Sequence, residues 1–391
     1  EISLGLVGSE MCIRDRPIPK KKLLLVGAGN LCLHILKILA PRNRFEFVVL
    51  GRNEEMTIRM CNLVTLSCAQ LEQYVAISPV IADLTDIGSV TQVLREHAPD
   101  IIVNCASLQS WRVITGLPKH SFEQLDQAQF GPWLPMHLTL MHDLMQAVKA
   151  SGITTLTVNA AFPDAVNPIL ARVGLAPDIG VGNVANLIPA VRFSIARLLK
   201  CSPADVEVML YAQHYFSHYV PRGGRPPRAS YRLLYEVRGR REVARLSDEV
   251  IFSTVKSEFR RLGGVDGQFL TACSAVTVIE GLFSPTPVLV HAPGPLGLPG
   301  GYPVWLQDGR INVQFSDKCP YDDAVRLNSI CQSHDGIDEI HCDGSVTFNP
   351  RCMAIMQTML GYSKDIMSVR QSADCARELA GKYLSFKNSI G

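Results

Sequence analysis

A short apolar run, Leu23–Val26, breaks into Gly27-Ala28-Gly29-Asn30-Leu31-Cys32, and helical apolar spacing then carries through Leu31–Ala40. No other feature constrains the fold as much. A strand, a glycine turn and a helix in immediate succession open a βαβ unit, and the pattern then repeats. Phe45–Leu50 reads as a strand, Glu54–Leu71 as a helix, Tyr74–Ala82 as a strand and Ile87–His97 as a helix. Ile101–Val103, a helix over about Leu134–Ala150 and a strand at Ile153–Val158 complete the series. Alternation of this kind predicts an α/β fold, a doubly wound parallel Rossmann sheet with right-handed crossovers.

After Asn159 the character changes. Pro and Gly become frequent, and longer strands read as antiparallel: Val206–Tyr211, Ser230–Glu236, Pro287–His291 and a pair around Trp305–Phe315. Helices are expected at about Val191–Lys200, Val250–Leu262, Gly267–Gly281, Tyr321–Gln332 and Arg351–Leu360. The expected organisation is a nucleotide domain over 17–158 and a mixed α+β substrate domain over 159–391. Glu10–Arg16 (EMCIRDR) resembles one translated frame of a sequencing-library adapter, so residues 1–16 are expected to lie outside the fold.

Composition narrows the function classes. The chain of 391 residues is 47% apolar and 19% charged, enough for a large core. No apolar run reaches the ~18 residues of a membrane span, and a net charge of +2 without a long basic tract argues against a general nucleic-acid binder. The twelve cysteines include no C-x-x-C and read as free thiols of a reducing cytoplasm. Cys331, His334, His341 and Cys342 lie close together with Asp335, Asp338 and Glu339, but a zinc site needs four convergent ligands, and no metal is expected.

The glycine turn specifies chemistry. Gly27 permits the tight turn, Gly29 lets a diphosphate approach the backbone, and the amides from Asn30 and Leu31 onward offer the positive end of a helix. Cys32 stands where a third small residue packs helix on strand. The second strand ends in Arg52-Asn53, with no acid before Glu54. An arginine there suits a 2′-phosphate, so NADP is expected, with NAD as the alternative. The segments Ala82-Asp83-Leu84-Thr85-Asp86 and Pro99–Ala106 resemble those of extended short-chain reductases and of the nucleotide domain of saccharopine dehydrogenases. That resemblance implies Asp83 near an adenine and Cys105 and Ala106 near the nicotinamide-side ribose. Capping of a helix near Asp86 is the other role open to Asp83.

The order of later segments resembles lactate and malate dehydrogenases over about Leu23–Pro221. The stretch Ser202-Pro203-Ala204-Asp205-Val206-Glu207-Val208 running into Gln213-His214 is the most specific match. The resemblance implies His214 as acid/base, Arg192 as the anchor of a substrate carboxylate, Asn159 against the nicotinamide or substrate, and Arg112 as a carbonyl-polarising group on a closing loop. The chain departs from that family where an aspartate should orient the histidine. Ile188 falls near that position, so the acid is either absent or supplied by Asp164 or Glu258.

If the strand continued, Ala212, His214, Phe216, His218 and Val220 would share one face. Eight arginines between Arg222 and Arg245, including the Arg222–Arg228 loop, read either as a cover for an anion or as a solvated face. The Pro/Gly loop His291–Pro303 is expected to shape a site wall or a subunit contact. Together these features predict an NADP-preferring oxidoreductase acting on a small carboxylate substrate, a homo-oligomer without nucleic-acid or membrane partners. A saccharopine- or opine-type dehydrogenase acting on an imine, and a non-catalytic NADP-binding regulator, are the alternatives.

Overall fold

The computed structural model describes residues 20–226, 228–240 and 245–390, so the expectation for residues 1–16 lies outside the described residues. β1 (Lys21–Val26) is followed by α1 (Asn30–Leu39), β2 (Phe45–Gly51), α2 (Glu54–Gln70), β3 (Ile77–Ile81), α3 (Ile87–His97) and β4 (Ile101–Asn104). A 3-10 turn at Trp111–Gly116 and the short helix α4 (Lys119–Asp126) lead into α5 (Leu134–Ser151), β5 (Leu156–Asn159), α6 (Pro163–Arg172) and β6 (Ile179–Gly180). These six strands form one parallel sheet in the order β3-β2-β1-β4-β5-β6. It extends beyond residue 158, because β6 pairs with β5 through Val158 and Ile179.

The sheet forms because its central strands can bury both faces. Leu23 to Val26 are fully buried, with Leu24 and Val26 in one core cluster and Leu23 and Leu25 in the other. Each such side chain contributes about 1.5–3 kcal/mol on burial. The edge strand β3 is only partly buried and carries Pro79, a residue that a central strand could not accommodate. The sheet order reverses between β1 and β4. Ligands of such sheets bind at that switch point, beyond the carboxyl ends of the strands.

The second half is antiparallel and helical. α7 (Val184–Leu199), β7 (Val206–Tyr211), α8 (His214–Gly223), β8 (Arg232–Val237), α9 (Asp248–Glu258) and α10 (Gln268–Leu282) come first. β9 (Val288–Pro293), β10 (Gly301–Gln307), β11 (Arg310–Val313), α11 (Tyr321–His334), β12 (Ile337–Ile340), β13 (Val346–Phe348), α12 (Pro350–Leu360), β14 (Ile366–Met367) and α13 (Ser372–Ser389) complete the chain. β7 pairs with β8, β10 lies between β11 and β9, and β13 lies between β12 and β14. The last elements do not form a separate body. Phe348, Met356, Leu379 and Tyr383 share one core with Leu24, Val26 and Leu134. α13 thus closes one face of the parallel sheet, its buried Cys375, Leu379 and Tyr383 falling at helical spacing.

Candidate active site

Two features built by different parts of the chain lie past the carboxyl ends of the parallel strands. The first is the glycine turn after β1. Gly27 has φ +100°, and a Cβ there would approach the Ala106 Cβ to 2.9 Å, so the turns after β1 and β4 can touch only with glycine at this position. Gly27 N donates to Leu50 O at 2.8 Å and Cys105 N to Val26 O at 2.8 Å, which fixes both turns to the sheet. Gly29 is the N-cap of α1 and supplies no side-chain cap. A Cβ on it would meet nothing within 4 Å. The first amides of α1 therefore open onto free space at a positive helix end, the local chemistry that holds a phosphate. A dinucleotide diphosphate fits this cradle.

The second feature is an aspartate–histidine pair. His214 Nδ1 lies 2.8 Å from Asp335 Oδ2, and the same oxygen accepts Gln213 Nε2 at 3.1 Å. Local structure fixes both partners. β7 ends at Tyr211, and Gln213 Oε1 accepts Tyr215 N at 2.7 Å, a side-chain cap that starts α8 at His214. The expectation of a continuing strand through Val220 is thereby corrected: the cap turns the chain helical, and His214 and His218 become i,i+4 neighbours with rings stacked at 5.7 Å. Asp335 is the C-cap of α11, followed by Gly336 at φ +101°. Its carbonyl accepts Gly131 N at 2.6 Å, and a Cβ on Gly131 would come within 2.6 Å of Gly336.

Electrostatics favour the charged form of the ring. Burial alone would depress the His214 imidazole, but the Asp335 carboxylate, with Asp164 behind it, outweighs burial and holds its pKa above the ordinary value. With Nδ1 committed to Asp335, Nε2 is the ring nitrogen left to exchange a proton. Asp164 is fully buried with no partner at Oδ1, while Asn183 Nδ2 donates to its Oδ2. Burial, with a smaller contribution from Asp335, pushes its pKa up to about 6. Phe162 (φ +49°) and Asn183 (φ +51°), on either side of it in the chain and in space, both hold left-handed backbone. Such strain costs roughly 1–3 kcal/mol per residue and persists where surrounding structure enforces it.

The wall around His214 is aromatic. Phe130 and Phe162 rings lie 4.7 and 5.4 Å from its ring centroid, and His137 stacks on Phe130 at 4.9 Å. His137 is buried with both ring nitrogens unpartnered, and burial, reinforced by His214, lowers its pKa to about 3. Beyond His218 the sign changes. Arg222, Arg112 and Arg261 all act on His218, whose pKa burial and these charges hold well below its usual value.

The residues singled out from sequence separate into two groups. Gly27, Gly29, Cys105 and Ala106 converge at the switch point. Asn30 Nδ2 reaches across to Gln268 Oε1 at 2.9 Å, so the start of α10 borders the cradle, with the Leu31 amide in its first turn. Arg52 is exposed at the end of β2, and its charge contributes to lowering the Asp83 pKa, behind the two hydrogen bonds from Thr85. Asn53 caps α2 through Met56 N at 2.9 Å. Asp83 binds Thr85, and the cap of α3 is Asp86 instead, accepting Ser89 N at 3.0 Å.

Among the four catalytic candidates, Arg112 sits on its 3-10 turn with its guanidinium donating to Gly264 O, and its charge acts on His218 rather than on His214. Arg192 lies on α7 beside His291, whose pKa burial and this arginine lower to about 3. It is not among the charged groups that act on His214. Asn159 is fully buried and bonded to Ala161, Asn167 and Asn104. Of the two acids expected to orient His214, Asp164 contributes by charge, while Glu258 pairs with Arg197. The carboxylate hydrogen-bonded to the His214 ring is that of Asp335. Its sequence context offered a C-x-x-H cluster as the competing signal, whereas the Gly336 that ends α11 and turns the aspartate inward was the informative one.

Other expectations take structural roles. The Pro/Gly loop backs Asp164: Gly300 N donates to Asp164 O at 3.2 Å and Asn167 Nδ2 to Gly294 O at 2.9 Å. In the basic run, Arg222 pairs with Asp126, Arg225 lies over the Tyr231 ring and Arg240 binds Leu199 O. Pro227, Arg241 and Glu242 lie outside the described residues. Among the described residues no group of three His, Cys, Asp or Glu is placed to hold a metal ion, and no helix is long and apolar enough to cross a membrane.

No family model matches the chain, and no curated protein matches it. Solved structures do. The Eimeria maxima lactate dehydrogenase with NADH and oxamate is 13% identical with a TM-score of 0.54, over 81% of this chain and 93% of that one. The Aeropyrum pernix malate dehydrogenase is 15% identical with a TM-score of 0.53, over 80% and 97%. The Plasmodium falciparum malate dehydrogenase in complex with NADH is 10% identical with a TM-score of 0.53, over 91% and 99%. The likeness is one of fold.

Proposed function

We propose that this chain is a nicotinamide dinucleotide-dependent oxidoreductase that interconverts a 2-oxo and a 2-hydroxy carboxylate, with His214 as the acid/base. The observation that carries the reading is the His214 Nδ1–Asp335 Oδ2 contact of 2.8 Å, with the His214 ring packed on Phe162 just after β5, at the strand ends where the β1 and β4 turns form the glycine cradle. The cofactor, when bound, supplies or accepts the hydride. Gly27, Gly29 and the amides of Asn30 and Leu31 would hold its diphosphate, and Cys105 and Ala106 would border the sugar beyond it.

The chain's own groups do the rest. His214 gives its Nε2 proton to the carbonyl oxygen as the hydride arrives at carbon, and takes it back in the reverse direction. Asp335 fixes the ring's tautomer and stabilises the imidazolium, so it is a positioning residue. Phe130 and Phe162 exclude water from the reacting carbon. Arg112, facing His218, meets the substrate carboxylate with its planar fork, a role expected of Arg192 from sequence. In this scheme Arg192 and Asn159 take no chemical step.

NADP is the proposed dinucleotide, supported by exposed Arg52 at the end of β2. An imine substrate of the saccharopine type rests on the saccharopine-like nucleotide segments and on a missing orienting acid, and a silent regulator on the missing acid alone; Asp335 beside His214 answers the second ground and leaves the first. The cytoplasmic, homo-oligomeric state belongs to the same reading. α2 leaves Met56, Leu63 and Leu66 exposed as a surface for a second copy. Light scattering on wild type and Leu66→Glu tests that part.

The deciding experiment follows oxidation of NADPH and NADH at 340 nm with a panel of 2-oxo acids. Turnover that His214→Gln removes, while dinucleotide binding stays, is the expected result. Binding of neither dinucleotide to the folded chain overturns the reading.

A further inference from the structure

The site extends further than a three-carbon acid needs. On α8, His214, His218 and Arg222 follow one another at i, i+4 and i+8, so they share a face. At 1.5 Å per residue, Arg222 sits about 12 Å along the axis from His214. Side chains lean toward the helix start, which brings its guanidinium back to roughly 6–9 Å from a carbon reacting at His214.

Two further guanidiniums close on that end from unrelated elements. Arg112 donates to Gly264 O, and this brings its turn against the loop after α9, where Arg261 lies three residues earlier. The three arginines act on one another and on His218. Burial, with Arg261 nearby, lowers Arg112, and burial, with Arg222 nearby, lowers Arg261. Asp126 accepts Arg222 Nη1 at 3.1 Å. Among the described residues, Arg261 has no carboxylate partner. Three cations thus face one aspartate, and a substrate carboxylate on Arg112 still leaves one positive charge uncompensated.

We propose that Arg222 and Arg261 form a distal anion subsite, and that the substrate is an elongated 2-oxo or 2-hydroxy acid ending in a second anionic group, a carboxylate or a phosphate. This rests on the function proposed above. The spacing suits about five to seven bonds between the reacting carbon and the terminal group. A short monocarboxylate leaves Arg261, an exposed cation, beside like charges with no carboxylate counterion, whereas a terminal oxyanion accepts its fork in charge-assisted hydrogen bonds.

Calorimetric binding to the full chain reads the subsite without requiring turnover. The ligands are pyruvate, 2-oxosuberate and a 2-oxo acid of matched length ending in a phosphonate. The expected result is at least tenfold tighter binding of one or both distal-anion ligands than of pyruvate, with the better of the two identifying the terminal group. In Arg261→Ala, and in Arg261→Glu should the alanine variant misfold, that ratio falls toward one. Equal affinities for all three ligands, or a ratio unchanged in a folded Arg261 variant, overturns the subsite. Dinucleotide binding is measured in parallel. Its loss alongside a preserved ratio would remove the oxidoreductase reading and leave the subsite standing.

Discussion

Nδ1 of His214 meets Oδ2 of Asp335 at 2.8 Å across 121 residues of chain. The histidine opens α8 and the aspartate closes α11, so two helix ends converge on one aspartate–histidine pair. In Asp335→Asn the ring keeps its burial but loses the charge that offsets it. The His214 pKa then falls below its ordinary value, and the limb of carbonyl reduction that needs the protonated ring moves to lower pH. We expect a kcat loss of about 10²–10⁴-fold at neutral pH, with KM changed much less. A pH–rate profile of wild type and variant checks both.

The two glycines of the first turn fail differently. A Cβ on Gly29 points into free space, so Gly29→Ala keeps its Tm while dinucleotide affinity falls by about tenfold or more, because the methyl occupies the phosphate approach. Gly27→Ala places a Cβ against Ala106 at φ +100° and destabilises the fold by about 1–3 kcal/mol. Thermal melts with and without dinucleotide separate the two.

Asp164 gives stability a definite pH slope. Its folded pKa of about 6 lies above the unfolded value, so it favours the folded state fully below about pH 4, and this contribution is lost as pH rises through 6. The difference amounts to roughly 3 kcal/mol. Asp164→Asn should therefore flatten the fall in denaturation midpoint between pH 4.5 and 7.5. A variant as steeply pH-dependent as wild type would contradict the assignment.

The proposed preference for NADP rests on Arg52. We expect Arg52→Ala to weaken NADPH about tenfold while leaving NADH within about twofold, because only the former carries the phosphate that the guanidinium meets. Fluorescence titration of both reduced dinucleotides measures the ratio.

Much of the parallel half was legible in the sequence because each strand is a run buried on both faces and each turn is punctuated by Gly, Asn or Asp. β1, α3 and β4 lie where periodicity puts them. β6 was not legible, since two residues, Ile179–Gly180, carry no period. His214 stands out through the segment before it, but its element does not. The residues from His214 to Val220 fit both a strand face and a helix face, and only the Gln213 side-chain cap decides between them. Asp335 could not be paired with His214 from spacing, because their contact is purely tertiary. α13 did carry a signal, Cys375, Leu379 and Tyr383 at helical intervals, and Tyr383 OH ties it to Val113 O beside the Arg112 turn at 2.9 Å.

The most direct measurement is the imidazole ¹⁵N spectrum of the full chain across pH 5 to 9, with His214 assigned by its disappearance in His214→Gln. The account predicts a neutral ring protonated at Nδ1, titrating above the ordinary histidine value, and a downward shift in Asp335→Asn. A ring protonated at Nε2, or one titrating identically in both proteins, would contradict it.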